Sequence, residues 1–160
     1  LIKSLLLQAL VFIAIFNGIS WLRETSMLST DSQLTEIHQV KTLSEQPIEI
    51  KADNKQTLVY FFAPWCHVCH VSIENLQSIY EKNNKVQIIA VALDYVDKAE
   101  VAKFTDQHRL TFPVALGNEE LKKSFKVKGY PSYYVLDEQN TVVARSMGYS
   151  SEIGLYLRLL

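Results

Sequence analysis

Cysteine is nearly absent: among 160 residues there are only two, Cys66 and Cys69. A fold stapled by disulfides needs more cysteines, at wider spacing, so structural stapling is a poor account of the pair. A closed zinc site needs two further ligands, and the four histidines form no second pair at ligand spacing. Net charge is equally scarce, at −1, and offers no electrostatic footprint for nucleic acid or an acidic surface. There is no internal repeat and no low-complexity tract. What remains is a chain 48% hydrophobic, long enough for one compact domain with a short appendage.

The appendage comes first. Residues 5–22 read LLLQALVFIAIFNGISWL, with Lys3 before them and Arg23-Glu24 after. Eighteen residues of helix reach roughly 27 Å, close to the hydrocarbon thickness of a bilayer. Gln8 and Asn17 are its strongly polar side chains, and Trp21 stands where an interfacial aromatic would. A cleaved signal peptide is the rival reading, but the run is long for one and ends without a clear small-x-small site. An uncleaved anchor is therefore expected over residues 1–24. Lys3 and the amino terminus favour the cytoplasmic side, leaving the rest of the chain outside. The polar stretch 25–45 is expected to be a linker that becomes the first strand or turn of the domain, and 46–160 the domain itself.

Within the domain the period alternates. Residues 57–63 (TLVYFFA) form a short apolar run that suits a buried central strand. Residues 67–82 place Val68, Ser72, Leu76 and Ile79 or Tyr80 on one helical face. A second buried strand is expected over 86–93, and a helix over 97–109 carrying Val101, Phe104 and His108. Leu121 and Phe125 suggest a short helix, and 132–136 with 141–146 a hairpin. Ser150 or Ser151 can cap a last helix carrying Ile153, Tyr156 or Leu157, and Leu160. Strand and helix alternating, then a hairpin and a helix, make an α/β domain with a mixed sheet.

Cys66 falls where a buried strand ends and a helix begins. The first N–H groups of a helix lack internal partners and carry the positive end of its dipole. A thiolate there is stabilised and can attack a disulfide. Cys69 lies one helical turn on, so its sulfur can reach back and resolve the mixed disulfide. Cys66 is thus the expected nucleophile and Cys69 the resolving thiol. A protonated His67 between them would favour the thiolate further, whereas an exposed, uninvolved side chain is the plainer alternative. His70 reads as an exposed first-turn residue.

The segment Phe61-Phe62-Ala63-Pro64-Trp65-Cys66-His67-Val68-Cys69 resembles the strand-to-helix active-site motif of the thioredoxin superfamily. Residues 127–137 (VKGYPSYYVLD) resemble its cis-proline segment, and 111–114 with 88–94 resemble the membrane-anchored TlpA/ResA-like branch. The likeness covers roughly residues 40–160. It implies a thioredoxin-like fold, a central mixed β-sheet flanked by helices, preceded by one transmembrane helix. It also implies a cis Pro131 beside the dithiol, with the backbone of Tyr130 pairing to an extended substrate segment and Trp65 supporting the site. The implied activity is protein thiol–disulfide exchange, leaning towards reduction. The implied location is the inner (cytoplasmic) membrane, single-pass, with the domain facing the periplasm or cell exterior. No cofactor beyond a Cys66–Cys69 disulfide and no metal is expected. The expected partners are protein thiols or disulfides and a membrane or envelope redox protein, with membrane contact through residues 5–22.

Three positions depart from the family pattern, two of them behind the dithiol. Tyr60 stands where many thioredoxins carry a buried Asp, and Ser72 where many TlpA/ResA-like proteins carry Glu, with Glu74 two residues on facing solvent. Tyr130 also replaces a smaller residue before the proline. Three other chemistries compete with the dithiol. Cys66-His67-Val68-Cys69-His70 satisfies the attachment motif of c-type haem, with His70 as axial ligand and Met147, Met27 or another His as the sixth. Two thiolates and a His could hold Cu(I). A peroxidase of the peroxiredoxin type would need Thr where Ala63 stands. The strand feeding the motif and the proline segment favour the dithiol over haem, an expected cis proline crowding the thiolates argues against copper, and Ala63 argues against the peroxidase.

Overall fold

The computed structural model describes residues 2–160, with the side chains of residues 2, 3, 20 and 21 outside the description. The expected roles of Lys3 and Trp21 at the ends of the span fall outside it too. Helix α1 (Ile2–Thr25) contains a 22-residue stretch, Ser4–Thr25, of mean hydropathy 2.0 with none of it buried. It is long and apolar enough to cross a bilayer.

The rest builds one seven-stranded sheet. In chain order the elements are β1 (His38–Thr42), β2 (Pro47–Ile50), β3 (Thr57–Phe62), α2 (His67–Lys82), β4 (Gln87–Ala92), α3 (Lys98–Gln107), β5 (Val114–Leu116), α4 (Glu119–Ser124), β6 (Ser132–Leu136), β7 (Val142–Met147) and α5 (Glu152–Arg158). Strand order is β2-β1-β5-β4-β3-β6-β7, with β3 parallel to β4 and antiparallel to β6. This is the mixed sheet and thioredoxin-like α/β architecture that the sequence implied.

Strand β3 explains why the sheet needs helices on both faces. All six of its residues are buried, and their alternation sends them to two separate cores. Leu58, Tyr60 and Phe62 pack with Ile73, Leu76 and Ile79 of α2, Val101 and Phe104 of α3, and Leu155 of α5. Val59 and Phe61 point the other way, towards Leu121 of α4, Phe125, Tyr134 and Met27. Each such large apolar side chain contributes about 1.5–3 kcal/mol of burial.

One detail extends the sequence reading and two differ from it. The stretch 25–45 is tied to the sheet. Met27 is buried, Asp31 N–H donates to Val142 O (2.8 Å), Arg145 donates to Met27 O and Leu28 O, and β1 lies within it. Backbone hydrogen bonds hold it there, and those leave no trace in composition. On α2 the buried stripe is Cys69, Ser72, Ile73, Leu76 and Ile79, so Val68 and Tyr80 lie exposed at its margins. On α5 only Leu155 is buried, while Ile153, Tyr156, Leu157 and Leu160 are exposed. The cap is Ser151, whose hydroxyl accepts from Gly154 N–H (3.2 Å), and Ser150 is buried instead.

Candidate active site

The chain leaves β3 at Phe62, turns through Ala63-Pro64-Trp65, and enters α2. Cys66 is the N-cap: its backbone is extended and its sulfur accepts the Cys69 N–H at 3.3 Å. A backbone donor and the helix dipole therefore converge on this sulfur. Cys66 is 7% exposed and Cys69 fully buried, and both are free thiols within hydrogen-bonding reach of each other. Burial pushes the Cys69 thiol well above the ordinary range, and its hydrogen bond with Cys66 adds to this. The Ala63 backbone and the Tyr60 hydroxyl pull it down without overcoming those effects.

The proline segment stands on the adjacent strand at the same end. Phe61 pairs with Ser132, which brings Tyr130-Pro131 alongside the turn that carries Cys66. The Tyr130–Pro131 peptide is cis, and the Pro131 carbonyl accepts from Gly148 N–H (2.8 Å). Trp65 is 61% exposed and meets the Tyr130 ring edge-to-face at 5.9 Å. His67 is exposed, so the structure brings Cys66, Cys69, Trp65, Tyr130 and Pro131 together and leaves His67 at the rim.

One residue the sequence reading did not single out organises that rim. Asp94, just past β4 with φ of 49°, accepts through its backbone carbonyl from Trp65 Nε1 (2.8 Å). Its carboxylate accepts from Tyr130 OH (2.9 Å) and from Lys122 Nζ (2.6 and 2.8 Å). Burial opposes ionisation of Asp94, but the Lys122 and Tyr130 hydrogen bonds and the Lys122 charge outweigh it and hold the carboxyl below its ordinary value. The available signal was an acidic residue at the carboxyl end of a buried parallel strand, where sites form.

His70 is not the exposed side chain that the sequence suggested. Its Nε2 donates to Pro64 O (2.9 Å) and its Nδ1 meets His108 Nε2 at 2.7 Å, with the Phe104 ring tilted against it at 4.6 Å. His108 in turn faces exposed Glu74 at 3.8 Å. Burial and the neighbouring His70 push the His108 imidazole down, against a smaller opposing effect of Glu74. Both His70 nitrogens are thus engaged in bracing the turn before Cys66, and neither is open to act as the axial ligand of a haem.

With this geometry in view, the similarities to known proteins can be placed. Residues 31–145 match the AhpC/TSA family. This chain belongs to that family. It is 32% identical over 109 residues to the thioredoxin-like protein YneN of Bacillus subtilis, covering 64% of this chain and 63% of YneN. It is 28% identical over 142 residues to the thiol-disulfide oxidoreductase ResA of Oceanobacillus iheyensis, covering 84% of this chain and 73% of ResA. Among solved structures, StoA from Bacillus subtilis superposes with a TM-score of 0.71 at 23% identity, covering 79% of this chain and 98% of StoA. That last likeness establishes the fold.

Proposed function

We propose that this protein is a membrane-anchored thiol–disulfide oxidoreductase that exchanges disulfides with protein substrates outside the cytoplasm. The carrying observation is the Cys66 sulfur seated on the first turn of α2, with the buried Cys69 thiol one turn behind it. Cys66 attacks a substrate disulfide, and Cys69 then displaces the substrate and closes the Cys66–Cys69 disulfide. Membership of the AhpC/TSA family and the likeness to ResA support this reading. Direction leans to reduction on the resemblance to the TlpA/ResA-like branch alone, and the Cys69 thiol, kept protonated by burial, is held in reserve until a mixed disulfide forms. Pro131 has no N–H, so an extended substrate segment would pair with the Tyr130 backbone beside it. The apolar α1 supports an anchored domain, and Lys3 ahead of the apolar run favours leaving that domain on the outer side of the membrane.

Reduced full-length protein mixed with a peptide disulfide should release peptide thiol and form the internal disulfide. Cys66→Ser should fall to background, and Cys69→Ser should hold the peptide covalently through Cys66. Full exchange by Cys66→Ser overturns the assignment. A reduction potential below about −220 mV supports a reductant, whereas one near about −120 mV, typical of a strong oxidant, overturns that direction.

A further inference from the structure

Two of the departures from the family pattern, Tyr60 and Ser72, are partners. Both are fully buried, and their hydroxyls lie 3.3 Å apart behind Cys69. The Tyr60 hydroxyl also contacts Cys69 O at 3.4 Å, a long, loose contact, and is near enough to the Cys69 thiol to pull its pKa down. Ser72 Oγ donates to Val68 O at 2.7 Å. Across from them, the Tyr133 ring sits 5.0 Å from that of Tyr60, and its hydroxyl faces Ser72 and the N–H of Ser150. Neither the Tyr133 hydroxyl nor the buried Ser150 hydroxyl has a hydrogen-bond partner among the described residues. Buried polar groups are nearly always satisfied, and two orphan hydroxyls side by side are the setting in which an ordered water is held. Ser150 is fixed through its carbonyl by Asn75 (2.9 Å) and adjoins the exposed Tyr149 and Ser151 at the surface. Arg158 lies close enough to act on Tyr133 electrostatically.

We propose that Tyr60, Ser72 and Tyr133 form a buried hydroxyl relay that carries the Cys69 proton to a water held by Tyr133 and Ser150, and so to solvent, during resolution of the mixed disulfide. The proposal rests on the dithiol reading above. As the Cys69 sulfur bonds to the Cys66 sulfur, the bond from Cys66 to the substrate sulfur breaks, and the substrate leaves as a thiolate that is protonated by water. The Cys69 proton passes to the Tyr60 oxygen while Tyr60 gives its own proton to Ser72. Ser72 turns from Val68 O and passes a proton to Tyr133, which gives one to water. Every hydroxyl ends neutral, and two electrons have moved from the dithiol to the substrate disulfide. Burial raises the hydroxyls of Tyr60 and Tyr133 far above the ordinary range, which suits groups that pass a proton and never store a charge.

The test is rapid-quench kinetics of the reduced full-length protein in detergent with a fluorogenic peptide disulfide, separating formation of the Cys66 mixed disulfide from its resolution. Tyr60→Phe and Tyr133→Phe keep the rings and remove the hydroxyls; Ser72→Ala removes the middle of the chain. Each variant should form the mixed disulfide within twofold of the wild-type rate. Resolution should slow about tenfold for Tyr60→Phe and Ser72→Ala and several-fold for Tyr133→Phe. The wild-type resolution rate should change little between pH 6 and 8, whereas in Tyr60→Phe it should climb nearly tenfold per pH unit as hydroxide replaces the relay. Unchanged resolution rates and pH profiles in the hydroxyl variants overturn the relay while leaving the dithiol reading intact. Absence of any Cys66 mixed disulfide in the wild type overturns the dithiol reading and the relay with it.

Discussion

Tyr133 and Tyr134 are neighbours on β6, both fully buried, and they face opposite sides of one sheet. The Tyr134 hydroxyl donates to Phe125 O and accepts from Leu28 N–H (3.2 Å), so it ties the segment after α1 and the end of α4 to the sheet. The Tyr133 hydroxyl has no hydrogen-bond partner among the described residues, and it looks towards the groups behind Cys69. Burial and residue type are the same; only the hydrogen bonding differs. The face towards α4 is closed by bonds already made, whereas the face towards α2 keeps polar atoms uncommitted beside the reactive thiols. Unsatisfied polarity in a core is costly unless something answers it, and here it coincides with the one place where a proton has to move.

The first way to break this comparison is to ask whether the two faces differ in packing as well. Phe61→Ala and Phe62→Ala empty equivalent positions on opposite faces, and each should lower unfolding free energy by about 3–5 kcal/mol in denaturant titration. A gap of more than about 2 kcal/mol between them would mean that packing, and not hydrogen bonding, separates the faces. Removing the two hydroxyls is the sharper cut. Tyr134→Phe strands the Phe125 carbonyl and the Leu28 N–H and should cost about 1–3 kcal/mol, whereas Tyr133→Phe should stay within about 0.5 kcal/mol of wild type. Equal losses for the pair would erase the contrast.

Protonation gives a third, smaller probe. The folded state holds the Cys69 thiol above its unfolded value of 9.0, so the folded protein binds the proton more tightly. The stability this confers is complete below that value and is lost as pH rises above it. Reduced protein should therefore weaken above pH 9.0 with a limiting slope of about 1.4 kcal/mol per pH unit, and Cys69→Ser should flatten that slope over the same range. A slope surviving in Cys69→Ser would assign it to other groups. The smallest effect belongs to the exposed rim. Asp94 is held below its ordinary value of 3.8, so its contribution is present above that pH and fades as pH falls through the folded value. Asp94→Asn should cost no more than about 1 kcal/mol at neutral pH, because Asp94 and Lys122 are a third and a quarter exposed. It should nonetheless loosen Trp65 and Tyr130, read as a rise in KM for peptide disulfides and a shift in Trp65 fluorescence.

How much of this was legible beforehand depended on whether the determinant was local. The strand ending at Phe62, the helix starting after Cys66 and the order of the two thiols follow from an apolar run meeting a helix start. That signal is written in consecutive residues. On α2 the period marks Ser72, Leu76 and Ile79 correctly, but the edge of the stripe falls on Cys69 and not on Val68, because the period fixes a face only to within a residue. On α5 the period marked Ile153 and Leu157 correctly as one side of a helix, but it could not say whether any element covers that side. His70 was read as exposed because its partners, the Pro64 carbonyl and His108, become neighbours only when α3 packs against α2.

The sequence by itself determined that this chain has one apolar helix able to span a bilayer, an α/β domain, and a dithiol at the start of a helix. Spacing and hydrophobic order are sufficient for those, since each depends on residues within a few positions of one another. Only the tertiary structure decided what surrounds the dithiol. Asp94, Lys122 and Tyr130 come from the end of β4, from α4 and from the loop before β6, and Tyr60, Ser72, Tyr133 and Ser150 converge from β3, α2, β6 and the turn before α5. The sheet order brings these distant segments to one end of β3, and a side chain's charge or hydrogen bonding is set by whatever it meets there.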